Sequence, residues 1–219
     1  MSPSGKAIGV IGAGSWGTAL AALLAKRGHH VFLWAREPEV AREIQEEREN
    51  RTFLPGVALP PGLQAGSDLR EALDGKEMVV SVVPSQFVSS VFQEAVAHLD
   101  PGSQLVSASK GIEVSTGRRM DQVFSEVLPR EQAHRLTILS GPSFSIEVCQ
   151  EAPTAVVVAS RSDRAALEAQ EAFQTEYFRV YTNPDVLGVE LGGALKNVIA
   201  LAAGVVAGMG FGHNTLAAL

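Results

Sequence analysis

The segment "AIGVIGAGSWGTALAALLA", residues 7–25, joins a β-branched apolar run to a helix-forming one through Gly12, Gly14 and Gly17, at the spacing G-x-G-x-x-G. A strand-to-helix turn of this kind uses its first glycine for the tight bend. The second lets a diphosphate approach the backbone, and the third lets the helix pack close on the strand, with the helix N-terminus facing the phosphates. The spacing predicts a dinucleotide-binding unit at the start of the chain; the alternative is a glycine-rich turn in an α/β protein that binds no nucleotide. Lys6 and the apolar run after it also mimic a signal peptide, but the glycines and Trp16 interrupt that pattern.

Short β-branched runs and helical patterns alternate down the rest of the chain. Strands are predicted at 7–11, 31–35, 78–83, 104–109, 136–140, 154–160 and 178–182, and helices at about 15–27, 38–49, 85–99, 118–128 and 163–174. This alternation is that of a Rossmann-like, doubly wound, mostly parallel α/β sheet. The apolar Pro/Gly-rich stretch 50–68 is expected to fold back over the sheet edge. At Asn183-Pro184 strand signals stop, and 185–209 reads as one long helix rich in Ala, Gly, Val and Leu. We therefore expect a dinucleotide-binding domain over 1–183 and, over 184–219, the beginning of an all-α second domain that is not completed.

Composition narrows the function classes. The formal net charge of −6 argues against nucleic acid or an anionic membrane surface as the main partner. The single cysteine, Cys149, excludes an internal disulfide and fits a reducing, cytoplasmic setting; it is expected to be a packed thiol, and no metal is expected. The apolar run from Val198 to Gly212 is about fifteen residues, short of the ~20 that span a bilayer, so no membrane insertion is expected.

Strand ends carry the candidate site. An acid normally follows the second strand and binds the ribose 2′-hydroxyl; here "LWAR" puts Arg36 there, with Glu37 next. A guanidinium fits a 2′-phosphate, which points to NADP; if Arg36 only stacks on adenine, NAD is also accepted. After "SVVPSQF", Phe87 is expected either beside the nicotinamide or in the core. Only five lysines stand against thirteen arginines, and Lys110 in "SASKGIE" lies just past a buried strand, with Gly111 permitting close backbone approach. "LSGPSFSIEV" adds Gly141, Ser143 and Ser145 after the following strand.

On the helix of 185–209, Gly192, Lys196, Ala200 and Ala203 fall within about 80° of one another. A lysine on a face of such small side chains is expected to be partly desolvated, with a lowered pKa suited to acid–base work. The alternative is an amine that snorkels into water from a helix–helix contact.

"GAGSWGTALA", "SKGIE", "SGPSF" and "LGGALKNVIALAAG", in order and spacing, resemble the NAD(P)-dependent glycerol-3-phosphate dehydrogenases of bacterial type, and the resemblance covers essentially all 219 residues. It implies reduction of dihydroxyacetone phosphate to sn-glycerol 3-phosphate, the backbone donor for phospholipid synthesis, by a protein that is a homodimer when full length. Carried over by position, Lys196 is the catalytic lysine and Asn197 a substrate-binding neighbour. Lys110 touches both cofactor and substrate. Gly141 and Ser143 bind substrate, and Ser145 binds cofactor. Ser15, Trp16, Arg36, Phe53 and Phe87 join the three glycines at the dinucleotide. The family's chain continues into a helical domain that grips the substrate phosphate through an aspartate and an arginine–asparagine motif; neither lies in the sequence here. Rival readings are a lysine-dependent NADP reductase of hydroxy-acid or ketopantoate type, against which "SKGIE" with "SGPSF" tells, and a non-catalytic NADP-binding fragment.

Overall fold

A computed structural model describes residues 5–219. The first half runs β1 (Ala7–Ile11), α1 (Ser15–Lys26), β2 (His30–Trp34), α2 (Pro38–Glu47), β3 (Leu63–Gly66), β4 (Met78–Ser81), α3 (Val88–Ala95) and β5 (Gln104–Ser107). A small hairpin, β6 (Ile112–Glu113) and β7 (Arg118–Arg119), leads into α4 (Met120–Val127) and α5 (Arg130–His134). Then follow β8 (Thr137–Ser140), α6 (Ser145–Cys149), β9 (Thr154–Ser160), α7 (Asp163–Phe173), β10 (Phe178–Asn183), α8 (Val186–Gly208) and α9 (His213–Ala217).

Eight strands form one sheet in the order β10-β9-β8-β5-β4-β1-β2-β3. Every pairing is parallel except β8 with β9. The exception has a local cause. The link from Ser140 to Thr154 holds only the five-residue α6, too short to carry the chain back along the sheet, so β9 starts at the end where β8 stops. The stretch 50–68 does fold onto the sheet edge, where it contributes β3, a strand not expected from the sequence.

Alternating side chains of the central strands feed two cores. Ile8 and Val10 pack with α1, α2 and Phe173 of α7, whereas Ile11 and Val79 pack on the other face with Phe92 of α3 and Phe124 of α4. Helix α1 is apolar around its circumference because it is buried between β1 and α6; Gly17 to Leu24 are all buried.

Helix α8 is fixed to this body at its N-terminal end. Asp185 caps it by accepting from the Gly188 N–H at 2.8 Å. Glu190 is buried and accepts from the Asp121 N–H at 2.8 Å and from Arg119 Nε at 3.2 Å, while Arg161 pairs with Asp121 at 2.9 Å. Burial first, and then the neighbouring Asp121 carboxylate, raise the Glu190 pKa above the ordinary carboxylate range. Beyond Glu190 the helix has no buried residue, and Leu195, Val198, Ile199, Leu201 and Val205 are exposed. Its 23 residues, with a mean hydropathy of 1.6 over the most apolar window, are long and apolar enough to cross a membrane by length and composition. The count of fifteen from Val198 took in only the part after Lys196 and so missed this.

Candidate functional site

Because β1, β4, β5 and β8 run parallel, their carboxyl ends reach one edge of the sheet. The glycine turn after β1 has the geometry its spacing demands. Gly12 has φ +114°, and a Cβ on Gly17 would lie 1.8 Å from the Gly12 carbonyl oxygen, so only glycine lets α1 start this close to β1. A Cβ on Gly14 would meet nothing within 4 Å, so that position is free for the approach of another group. Gly14 is the N-cap of α1 and leaves the first turn without a side-chain cap. Ser15, Trp16 and Gly17 form that turn.

In front of it lies a cleft of about 370 Å³ lined by Gly12, Ala13, Gly14, Trp34, Arg36, Glu37, Phe53, Val82, Val83, Pro84, Phe87, Ser90 and Val91. Phe87 is 52% exposed and Phe53 43%, so both stand at the cleft wall and Phe87 is not a core residue. Arg36 is well exposed and turns its fork onto Glu37, with Nε and Nη2 at 3.0 and 2.9 Å from the same carboxylate oxygen. The pair thus offers a cation and an acceptor together.

Next to the turn stands Lys110. Its Nζ donates to the Gly141 carbonyl at 3.0 Å and to Ser143 Oγ at 3.4 Å, and it sits 5.5 Å from the centre of the Trp16 ring. Gly141 must be small, since a Cβ there would come within 2.9 Å of the Val156 backbone. Burial, and secondarily the charge of Lys196, push the Lys110 pKa down to about 8. The expected lysines are therefore exchanged: Lys196 is exposed, and Lys110 is the desolvated amine. The reason lies in α8, which approaches the strand ends through Gly193, where a Cβ would lie 2.5 Å from Ser140 Oγ. The face of Gly192, Lys196 and Ala200 is open, and Asn197 is exposed beside it. Ser145 opens α6, half-buried, and is not part of the cleft lining.

Sequence reasoning missed Asn50 and Thr18, both fully buried polar residues that hydrogen-bond to each other and to the backbone of the glycine turn. An Asn three residues before Phe53, whose N–H it accepts at 3.0 Å, is a turn signal that could have been read.

The desolvation of Lys110 has a measurable consequence. With a folded pKa near 8 and an ordinary value of 10.5, the folded chain releases this proton before the unfolded chain does. Stability from this residue therefore rises as pH increases from about 8 to 10.5, and the penalty is full below 8. Lys110→Met is expected to raise the melting temperature at pH 7 by roughly 2–4 °C, allowing for partial exposure of the amine. That gain should vanish toward pH 10.5 in melting curves recorded across the range.

Two family models match the chain: the NAD-dependent glycerol-3-phosphate dehydrogenase N-terminus over residues 7–166 and the C-terminus of the same enzyme over 185–219. The chain belongs to the NAD-dependent glycerol-3-phosphate dehydrogenase family. A relative from Geobacter metallireducens, glycerol-3-phosphate dehydrogenase [NAD(P)+], is 58% identical over 98% of this chain and 64% of its own length. The solved glycerol-3-phosphate dehydrogenase of Coxiella burnetii superposes with a TM-score of 0.86 at 35% identity, covering 99% of this chain and 65% of that one. The yeast enzyme superposes with a TM-score of 0.85 at 29% identity, over 98% of this chain and 66% of that one. The chain thus spans a little under two thirds of the length of the glycerol-3-phosphate dehydrogenases it matches. A solved pyrroline-5-carboxylate reductase of Coxiella burnetii and a diketoreductase, each 13% identical, share the fold.

Proposed function

We propose that this chain carries the nucleotide site and the two working lysines of a reductase that converts dihydroxyacetone phosphate to sn-glycerol 3-phosphate with NAD(P)H. The observation that carries the reading is Lys110. It is a desolvated amine held between the Trp16 ring, one residue past Ser15 of the glycine turn, and the Gly141–Ser143 turn, and it feels the charge of Lys196. Two cations converging where strand ends meet suit a small anionic ketone in a protein of net negative charge. The glycine turn fits a dinucleotide, because Gly14 leaves open the space a side chain would fill and α1 begins there without a side-chain cap.

When bound, the nicotinamide supplies a hydride to the carbonyl carbon. Lys110 and Ser143 orient the ketone, and the exposed Lys196 delivers a proton from Nζ to the carbonyl oxygen as negative charge develops there. Asn197 stands beside that amine as a further contact for substrate, and Ser145 is an added cofactor contact behind the Ser143 turn.

Arg36 and Glu37 account for use of both cofactors. The guanidinium can leave Glu37 for a 2′-phosphate, and the carboxylate can serve a free ribose hydroxyl. We read α8 as a helix of a cytoplasmic protein rather than a membrane span. Glu190 near its start accepts hydrogen bonds from Arg119 and the Asp121 N–H, and Lys196 and Asn197 interrupt its middle. In the same reading the exposed apolar side of α8 is covered by further helical chain in a homodimer.

The test is oxidation of NADPH and NADH on addition of dihydroxyacetone phosphate, by a polypeptide of the relatives' full length. Oxidation that depends on this ketone and not on hydroxy-acid precursors is expected. Absence of any ketone-dependent turnover overturns the reading. Arg36→Asp is expected to weaken NADPH by roughly tenfold or more, as for loss of a hydrogen bond to a charged group, and to leave NADH within about threefold. Equal losses for both cofactors would remove Arg36 from the 2′-phosphate.

A further inference from the structure

Asn50 lies in the loop after α2, far along the chain from the glycine turn, yet its amide is spent entirely on that turn and its own loop. It is fully buried. Its Nδ2 donates to the Ala13 carbonyl at 2.9 Å and to Thr18 Oγ1 at 2.8 Å, and Thr18 Oγ1 donates to the same carbonyl at 3.3 Å. Its Oδ1 accepts the Phe53 N–H at 3.0 Å, and its own carbonyl accepts the Leu54 N–H at 2.8 Å. The orientation of the amide is dictated by this set, because turning it over would set Oδ1 against a carbonyl and Nδ2 against an N–H.

A buried amide and hydroxyl in the floor of an apolar core are costly unless fully bonded, and a loop could be anchored there by apolar contacts alone. What the polar pair does that apolar residues cannot is grip one particular carbonyl, that of the residue between Gly12 and Gly14. In a trans peptide the C=O and the following N–H point in opposite directions. With the Ala13 oxygen drawn inward by two donors, the Gly14 N–H is turned the opposite way, and Gly14 lines the cleft.

We propose that Asn50 and Thr18 are positioning residues for the diphosphate of a bound dinucleotide: by holding the Ala13 carbonyl inward they aim the Gly14 N–H at the phosphate. This rests on the nucleotide reading above. The pair touches no ligand and acts through the backbone. Its effect should fall on ligands that bridge the glycine turn and not on ligands held at Arg36 alone.

Calorimetric titration of the chain with NADPH and with adenosine 2′-monophosphate, which carries the 2′-phosphate but no 5′-phosphate to reach the glycine turn, separates these. The ratio of the two affinities is expected to fall by about tenfold in Asn50→Leu and about threefold in Thr18→Val, the scale of an oriented hydrogen bond to a charged group. Melting curves accompany the titrations, and if Asn50→Leu does not fold, Thr18→Val decides. A lower melting temperature with an unchanged ratio in the folded variant would make the pair a plain loop anchor and overturn the inference alone. A wild-type chain that binds neither NADPH nor NADH would overturn the nucleotide reading, and this inference with it.

Discussion

Lys196→Met, in a polypeptide of the relatives' full length, is expected to lower turnover by roughly two to four orders of magnitude, the scale of lost proton transfer at a positioned acid. Affinity for NADPH should stay within about twofold, because Lys196 is exposed on α8 and does not line the cleft before the glycine turn. Melting curves recorded alongside separate a fall in rate from a loss of folding. Lys196→Arg should be nearly as damaging, since a guanidinium keeps its proton and cannot exchange it with the substrate oxygen. Turnover retained in Lys196→Met would mean the amine is not the acid, and Lys110, the desolvated one, would be the next residue to test.

The second large effect concerns two glycines three positions apart. Gly17→Ala brings a Cβ to within 1.8 Å of the Gly12 carbonyl, a backbone atom that cannot swing away. Relief requires α1 to move off β1, and α1 is buried from Gly17 to Leu24. We expect a loss of roughly 3 kcal/mol or more in stability, the overpacking range at its upper end, seen as a midpoint shift in denaturant unfolding. Gly14→Ala should behave in the opposite way. Its φ of −66° is ordinary for alanine and its Cβ meets nothing, so the fold should lose about 1 kcal/mol at most, the cost of a poorer N-cap. Nucleotide affinity, by contrast, should drop roughly a hundredfold, because the methyl occupies the space a diphosphate needs. Two variants that behaved alike, both unstable or both binding normally, would show that the turn does not divide its roles this way.

The parts of the molecule legible in the sequence are those whose physics is local. The central strands were readable as apolar runs because residues such as Val79, Val80, Leu105 and Val106 are covered on both faces of a mostly parallel sheet. Helices α1, α2, α7 and α8 were readable from their periodicity and composition, and the glycine turn from residues that only that backbone requires. Strand β3 was not, because "LQAG" is a four-residue edge piece with one fully buried apolar side chain, too little for a pattern. Nor was the reversal at β9, since the direction of a strand is set by how far the preceding link can travel and not by its own side chains.

The candidate site divides in the same way. The residue types that chemistry demands at strand ends were all present in the sequence: Gly12, Gly14, Arg36, Lys110, Gly141, Ser143, and Lys196 on its small-residue helix face. Which amine loses its water was decided only in three dimensions. Desolvation depends on what other elements pack around a group, and that put Lys110 under Trp16 and the Gly141 turn while leaving Lys196 on the open side of α8. The engagement of Arg36 with Glu37 likewise needed side-chain positions, although the two are adjacent. Asn50 needed the tertiary structure most of all, because the carbonyl it holds lies 37 residues away, and a hydrogen bond across that separation leaves no trace in local sequence.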